Sequence, residues 1–261
     1  MIIDLKGKKA LVGGSTSGLG KAIAWQLAES GAQVTLMARD RDKLEKFYKE
    51  LPQRQGQNHD FLEVDFLNYN DYEDRITAYF DHITVDILVN NTNGPKGGGA
   101  LEKNIGDYQQ AFDLLFKTYC LTSLLAVEGM KKNQFGRIIN VSSMSVKEPI
   151  QNLVLSNSIR AAVINWAKTI SIDLAPFGIT VNNILTGSFD TERLRDLHTQ
   201  QANKQGVPIE EYRDKKADEI PLKRFGKPEE YGYLAAFLAS EQASYLTGVN
   251  LPIDGGAIKS V

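Results

Sequence analysis

Short apolar runs alternate with longer amphipathic stretches along the whole chain. The short runs are rich in β-branched residues and are bounded by turn residues, which is typical of buried strands. They predict strands over residues 9–12, 33–38, 61–64, 85–89, 137–141, 179–184 and 249–253. The longer stretches repeat their apolar residues at the spacing of a helix face. They predict helices over residues 18–30, 40–50, 69–80, 105–132, 152–175 and 228–239.

This alternation predicts the fold class. Strands that alternate with helices favour parallel pairing through right-handed crossovers, with helices on both faces of the sheet. We therefore expect an α/β fold, a single Rossmann-type doubly wound parallel sheet of about seven strands. Neither a break in composition nor an internal repeat divides the sequence, so residues 1–261 are interpreted as one domain. The polar stretch around residues 188–220 indicates an insertion at the ligand-binding edge of the sheet, where it would cover a substrate.

Composition narrows the partners and the compartment. With 30 basic and 32 acidic residues, the formal net charge of −2 favours neither nucleic acid nor a membrane as partner, and we expect a small-molecule substrate. Cys120 is the only cysteine in the sequence, so we interpret it as a core residue in a protein of a reducing compartment. The three histidines are scattered, which predicts no metal site. The chain starts without an apolar signal core and contains no run long enough to span a bilayer, so a cytoplasmic protein is expected.

The strongest chemical signal lies between the first predicted strand and the first predicted helix. It is the run Gly14-Ser15-Thr16-Ser17-Gly18-Leu19-Gly20. Glycines let the backbone turn tightly and approach a pyrophosphate without a clash from Cβ. The helix that starts there directs unpaired N–H groups and its positive dipole end at the phosphates. In this strand–turn–helix context the run predicts a dinucleotide-binding loop.

The spacing of the loop, G-x-x-x-G-x-G, resembles that of short-chain dehydrogenases/reductases. Further motifs extend the resemblance over nearly the whole chain. Residues 90–94 resemble the Asn-Asn-Ala-Gly motif of that family, and residues 138–143 resemble the strand that ends in its catalytic serine. Residues 224–230, 245–248 and 254–256 match its C-terminal pattern. The chain is identified as a 3-oxoacyl-[acyl-carrier-protein] reductase-like member, which implies an oxidoreductase acting on a carbonyl or alcohol and assembled as a homotetramer or homodimer.

The resemblance also implies which residues bind the dinucleotide. They follow the first, second, third, fourth and sixth strands, whose carboxyl ends meet at one edge of the sheet. They are Gly14, Ser15, Ser17, Gly18, Leu19, Gly20, Arg39, Asp65, Phe66, Asn91, Gly187 and Thr191.

Arg39 bears on the choice between NADP(H) and NAD(H). NAD binders usually place an acid after the second strand, where it contacts the ribose 2′-hydroxyl. Here the second strand runs into Arg39, whose guanidinium suits a 2′-phosphate through a forked, charge-assisted contact. Asp40 follows directly and is interpreted as the cap of the next helix. The sequence therefore favours NADP(H) over NAD(H).

The catalytic positions depart from the family pattern. In the family, a tyrosine about a dozen residues after the serine gives a proton to the carbonyl oxygen, and a lysine four residues later lowers its pKa. Counting from Ser143, these two positions hold Ser156 and Arg160, and no tyrosine occurs between Tyr119 and Tyr212. An aliphatic hydroxyl is a much weaker acid than a phenol, and positioned acid catalysis is worth about 10²–10⁴ in rate. The family's helix-borne asparagine is also replaced, because Leu115 lies near its place.

Two interpretations follow from this replacement. In the first, the chain is an oxidoreductase in which Ser143, Ser156 and Arg160 form a polar pocket that grips a carboxylate or phosphate of the substrate. Either another group then supplies the proton, with Tyr212 and Tyr108 as the candidates, or the substrate needs less help from an acid. In the second, the chain binds a dinucleotide as a regulatory or interaction protein without redox activity. The sequence leaves both open, because function depends on the site and not on the fold.

Overall fold

The sheet decides where the functional groups meet. A computed structural model describes residues 2–260, and its strands form one parallel sheet of seven in the order β3-β2-β1-β4-β5-β6-β7. The strands are β1 Lys9–Gly13, β2 Gln33–Ala38, β3 Asp60–Glu63, β4 Ile87–Asn90, β5 Gly136–Val141, β6 Ile179–Thr186 and β7 Asn250–Ile253. The strand order reverses between β1 and β4, as in a doubly wound fold, so the predicted sheet is confirmed.

Helices cover both faces of this sheet. They are α1 Gly18–Glu29, α2 Arg41–Glu50, α3 Tyr69–Phe80, α4 Ile105–Ala111, α5 Thr118–Asn133, α6 Val154–Leu174, α7 Glu192–Gln205, α8 Ile209–Asp218 and α9 Pro228–Ala239. On one face, α1 and α9 bury Ile23 and Tyr231 against the strands. On the other face, α3, α5 and α6 bury Ile76, Met130 and Ala167. The two cores confirm the predicted layers of helix, sheet and helix.

The helix predicted over residues 105–132 is interrupted. Residues Phe112–Lys117 form a π-helical segment between α4 and α5. The Thr118 hydroxyl donates a hydrogen bond to the main-chain oxygen of Asp113, five residues earlier, at 2.8 Å. That bond satisfies a carbonyl at the point where the α-helical pattern is displaced by one residue. The spacing of apolar residues does not reveal such a displacement. The prediction of one continuous helix was therefore wrong over this segment.

A row of asparagine side chains links four neighbouring strands on one level of the sheet. The register pairs Asn90 with Asn140, Asn140 with Asn183, and Asn183 with Asn250. Each side-chain amide donates to the carbonyl oxygen of the next, at 2.8, 2.9 and 2.8 Å. The Asn90 amide also donates to the Ser123 hydroxyl on α5, at 2.9 Å. Buried amides that satisfy one another in this way stabilise one strand register over others.

The segment predicted as an insertion, residues 188–220, contains α7 and α8. Asp190 joins the two helices, because its carboxylate accepts hydrogen bonds from Arg195 at 2.9 Å and from Arg213 at 2.8 Å. Phe189 bridges to Gly226, whose missing Cβ makes room for its ring. We call residues 188–220 the α7–α8 cover. Within residues 2–260, the helices fall short of the length and apolar character needed to cross a membrane.

Candidate active site

An open cleft of about 520 Å³ lies at the carboxyl ends of β1 and β4, where the strand order reverses. Its floor is the loop between β1 and α1, one wall follows β4 and β5, and the α7–α8 cover supplies the other wall. Among the residues predicted for the site, those that line it are Gly14, Ser17, Gly18, Leu19, Gly20, Asn91, Ser143, Ser156, Arg160, Gly187 and Thr191. Five separate stretches of sequence therefore meet in one cleft.

The glycine loop is packed too tightly for side chains. A Cβ on Gly20 would lie 2.1 Å from the main-chain oxygen of Gly14, and one on Gly13 would lie 2.3 Å from that of Asn91. Gly14 and Gly18 have φ of +54° and +51°, a region that glycine adopts without strain. The Asn91 amide donates to the Gly13 oxygen at 2.9 Å and ties the loop to the end of β4. The result is a bare backbone cradle at a helix N-terminus, which fits the phosphates of a dinucleotide.

Thr191 and Gly187 bring the cover to this cradle. The Thr191 hydroxyl accepts a hydrogen bond from the Leu194 N–H at 3.3 Å, as the cap of α7. A Cβ on Gly18 would lie 3.4 Å from the Thr191 methyl group, so cap and loop are neighbours. Gly187 follows β6, where a Cβ would come 2.5 Å from the Asp254 backbone. The close contact between Gly187 and Asp254 therefore requires a glycine at this position for packing, in addition to any contact of Gly187 with a ligand in the cleft.

The structure places four of the predicted cofactor residues outside the cleft lining. Ser15 is buried, and its hydroxyl donates to the Met37 oxygen at 3.3 Å. Asp65 accepts from the Leu67 N–H at 3.0 Å, while the Phe66 ring packs in the core against Tyr72. The Ser15 hydroxyl and the Phe66 ring thus both have partners within the protein.

Arg39, the fourth, is exposed after β2. The Asp40 carboxylate accepts a hydrogen bond from the Lys43 N–H at 3.0 Å and caps α2. The interpretation of Asp40 as a helix cap is thereby confirmed. Since the cap occupies this carboxylate, Arg39 presents the free charge at the end of β2.

Ser143, Ser156 and Arg160 share the cleft wall at the end of β5. The Ser143 hydroxyl accepts from the Ser145 N–H at 3.1 Å, which fixes its direction. Ser156 and Arg160 lie one turn apart on α6, on the face turned toward the cleft. Arg160 is only 7% exposed, and its guanidinium donates to the Val141 oxygen at 2.5 Å. The three residues place two hydroxyls beside one fixed positive charge.

Comparisons with known proteins bear on this arrangement. A family profile described as Enoyl-(Acyl carrier protein) reductase matches residues 14–257. The NADPH-dependent reductase BacG of Bacillus subtilis is 35% identical, over 97% of this chain and 99% of its own. The 3-oxoacyl-[acyl-carrier-protein] reductase FabG of Aquifex aeolicus is 30% identical, over 98% and 99%. The crystal structure of L-sorbose reductase from Gluconobacter frateurii, complexed with NADPH and L-sorbose, superposes with a TM-score of 0.93 at 29% identity, covering 100% of both chains.

The chain belongs to the short-chain dehydrogenase/reductase family. The family predicted from the glycine loop and the C-terminal motifs is thus confirmed. Within this short-chain dehydrogenase/reductase, α6 carries Ser156 and, one turn later, the cation Arg160.

Neither alternative tyrosine reaches the cleft of this short-chain dehydrogenase/reductase. Tyr212 is buried in the α7–α8 cover, with its ring centroid 5.4 Å from that of His198. Tyr108 lies on α4, away from the cleft lining. Tyr119, on α5, donates its hydroxyl to the same Val141 oxygen that Arg160 binds, at 3.2 Å. Within residues 2–260, the cleft is therefore lined without a phenol.

Two further predictions concern Cys120 and metals. Cys120 lies on α5 and is half-buried, so it is only partly the core residue that the sequence predicted. Burial raises the pKa of its thiol to about 12, which disfavours the reactive thiolate. Between residues 2 and 260, His, Cys, Asp and Glu side chains form no cluster of three that could hold a metal ion.

The sequence interpretation missed Arg193. This side chain extends from the first turn of α7 into the cleft and donates to the Gly94 oxygen at 3.4 Å. Partial desolvation of the guanidinium, followed by the positive charge of Arg160, lowers the pKa of Arg193, although the residue as a whole is exposed. Only its position two residues after Thr191 pointed to the cleft, because the polar cover carries no motif.

Proposed function

We propose that the protein is an NADPH-dependent reductase of a small carbonyl compound, working without the tyrosine acid of its family. One observation carries the proposal. The glycine cradle, Ser143, Ser156 and Arg160 line a single cleft beneath a cover that α7 and α8 form. The similarity to reductases named for NADPH over nearly the full chain supports the same conclusion.

The residues of the cleft fit a dinucleotide. Gly14, Gly18 and Gly20 give phosphates access to the backbone, and Thr191 lies beside them on the cover. Arg39 suits the 2′-phosphate of NADPH, because Asp40 is occupied as a helix cap. When bound, NADPH supplies a hydride to the carbonyl carbon.

Arg160 replaces acid catalysis with electrostatic stabilisation. As a carbonyl is reduced, negative charge develops on its oxygen, and a fixed cation in a partly desolvated site stabilises that charge. The hydrogen bond to the Val141 oxygen holds the guanidinium in place before the reaction begins. The hydroxyls of Ser143 and Ser156 donate hydrogen bonds to the same developing oxyanion.

Solvent then supplies the proton that completes the alcohol. An arginine stays protonated and cannot give its proton up at neutral pH. Serine hydroxyls exchange protons with water, and the cleft is open to solvent. We expect the overall reaction to consume one carbonyl, one NADPH and one solvent proton, and to yield an alcohol and NADP⁺.

A homo-oligomer fits the surface of α5 and α6. Leu124 on α5 is 55% exposed and Ile172 on α6 is 66% exposed. Apolar side chains so exposed on neighbouring helices are typical of a buried interface between subunits. The proposal is a homotetramer or homodimer, which light scattering coupled to size exclusion would test.

A screen of NADPH consumption tests the proposed activity. Purified protein is offered ketones, aldehydes and oxo acids, and the oxidation of NADPH is followed by absorbance. Equilibrium binding of NADPH is measured in parallel. A Gly20→Val variant, whose side chain would occupy the cradle, is the negative control. NADPH binding without turnover of any compound would contradict the proposal and favour a dinucleotide-binding regulatory protein.

A further inference from the structure

The buried arginines of this chain differ in how their charge is balanced. Arg137 is 1% exposed and forms an ion pair with Glu241 at 3.3 Å. Arg213 is 7% exposed and forms one with Asp190 at 2.8 Å. Such pairing is expected, because a charge removed from water without an opposite charge is unfavourable.

Arg160, 7% exposed, departs from this rule, and the exposed Arg193 lines the same cleft. In the part of the chain from residue 2 to residue 260, neither side chain forms a salt bridge. Both donate to neutral main-chain oxygens, Arg160 to Val141 at 2.5 Å and Arg193 to Gly94 at 3.4 Å. Two positive charges therefore line one cleft with only neutral partners.

Arg160 and Arg193 line the same cleft, where their positive charges repel each other. The charge of Arg160 contributes to lowering the pKa of Arg193, after the partial desolvation of that guanidinium. Glu192 and Asp196 also line the cleft, but each lies beyond salt-bridge distance of both arginines within the described chain. An anion between the arginines would relieve this repulsion and use N–H donors that the two main-chain bonds leave available.

We propose that the cleft recognises a carbonyl substrate that carries an anionic group, a carboxylate or a phosphate, held by Arg193 together with Arg160. The inference rests on the proposed reductase function and names its substrate class. Guanidinium forks bind both kinds of anion in two parallel hydrogen bonds, which lysine cannot do.

Matched pairs of compounds test this recognition. The probes are 2-oxo-4-phenylbutyrate against its ethyl ester, and dihydroxyacetone phosphate against dihydroxyacetone. Binding to the protein–NADP⁺ complex is measured by calorimetry, which requires no turnover, and kcat/KM is measured with NADPH. The variants are Arg193→Gln, Arg193→Lys and, as the control, Lys204→Gln, an exposed cation on the same helix.

We expect at least one anion to bind more tightly than its neutral partner. Loss of a charge-assisted contact in Arg193→Gln should weaken that anion by about 10-fold to 100-fold and leave the neutral compound nearly unchanged. Arg193→Lys should recover part of the affinity, and Lys204→Gln should resemble the original protein. The pair that responds distinguishes a carboxylate from a phosphate.

Three outcomes would overturn the inference. Equal binding of anion and neutral partner is the first, and equal weakening of both in Arg193→Gln is the second. The third is a rise in the Kd of NADPH in Arg193→Gln without a loss of anion preference, which assigns the arginine to the cofactor pyrophosphate. Selective anion binding without turnover would instead retain the anion site and contradict the reductase, so the two proposals fail separately.

Discussion

The guanidinium of Arg160 donates a hydrogen bond to the main-chain oxygen of Val141, at 2.5 Å, and so joins α6 to the last residue of β5. The cation is thereby fixed beside Ser143 and Ser156 in the cleft. A lysine at the same position would carry the charge on a flexible side chain, and its ammonium lacks the planar set of N–H donors of a guanidinium. If Arg160 stands in the place of the family's lysine, as the sequence predicts, the charge is held more firmly and cannot be given up as a proton.

Restoring the missing acid should raise activity on a neutral ketone. In the double variant Ser156→Tyr with Arg160→Lys, a phenol next to an ammonium can donate the proton that solvent now supplies. We expect kcat to rise by about 10²-fold to 10⁴-fold, the usual contribution of positioned acid catalysis. Steady-state kinetics with NADPH and one neutral ketone would measure it.

The control for this variant is Ser156→Phe with Arg160→Lys, which adds the ring without the hydroxyl. It should show no gain. If both double variants bind NADPH normally and neither gains activity, the absent phenol is not what limits the reaction.

Arg39 should decide the preference for NADPH. Arg39→Gln removes the cation from the end of β2, and we expect the Kd of NADPH to rise by about 10-fold to 100-fold while that of NADH stays the same. The matched control is Arg41→Gln, because Arg41 is exposed nearby but is bound to Glu45 at 2.8 Å. Fluorescence titration of both cofactors gives the comparison. An equal effect of the two substitutions would assign the preference to general positive charge.

Interrupting the row of asparagines should lower the stability of the fold. Asn140→Ala removes the partner of both Asn90 and Asn183, and we expect the free energy of unfolding to fall by about 2–5 kcal/mol in urea. Thr180→Val is the control on the neighbouring strand β6. Among residues 2–260, the buried Thr180 hydroxyl has no hydrogen-bond partner, so its removal should be neutral or stabilising by about 1 kcal/mol.

The α7–α8 cover should loosen in acid. Burial, and then the charges of Arg213 and Lys216, lower the pKa of His198 from its ordinary 6.5, while Asp190 opposes this shift. Below pH 6.5 the unfolded cover takes up a proton that the folded cover resists, so the neutral form's stabilisation is present above that pH and lost below it. The protection factors of the amides in α7 and α8, which correct for the slower intrinsic hydrogen exchange in acid, should therefore fall between pH 7.5 and 5.5.

His198→Phe provides the control for acid loosening, since an aromatic ring without a titrating nitrogen still packs against Tyr212 and Phe225. The protection factors in α7 and α8 should then become nearly independent of pH over this range. Burial also lowers the pKa of His59, but that side chain contacts β2 and would alter exchange there. An unchanged pH response of the cover in His198→Phe would contradict the assignment.

Local signals predicted most of the fold. Strand runs such as residues 33–38 and the glycine loop combine a clear period with turn residues, and both lie where the pattern placed them. The π-helical segment was missed because a shift in the helical hydrogen bonds leaves the apolar pattern unaltered, and the bond from Thr118 to the Asp113 oxygen that accompanies it has no sequence motif.

The candidate site was predictable only where side chains belong to a motif. Ser143, Ser156 and Arg160 follow from their spacing, and they line one cleft. Arg193 could not be predicted, because its role depends on how the cover folds back across the sheet toward Gly94. Tyr212 was a candidate proton donor because its segment could border the cleft. Its polar sequence neighbours gave no sign that its ring would be buried beside His198.

The asparagine row also limits how this gene can recombine with those of its relatives. Asn91 ties β1 to the end of β4, and its neighbour Asn90 begins the chain of amides that reaches Asn250 on β7. If two genes are joined at any point between β4 and β7, asparagines from one parent must pair with the residues of the other. Chimaeras that exchange β2, α2 and β3 leave every one of these amide contacts intact. We expect that block to be the interchangeable part of the molecule.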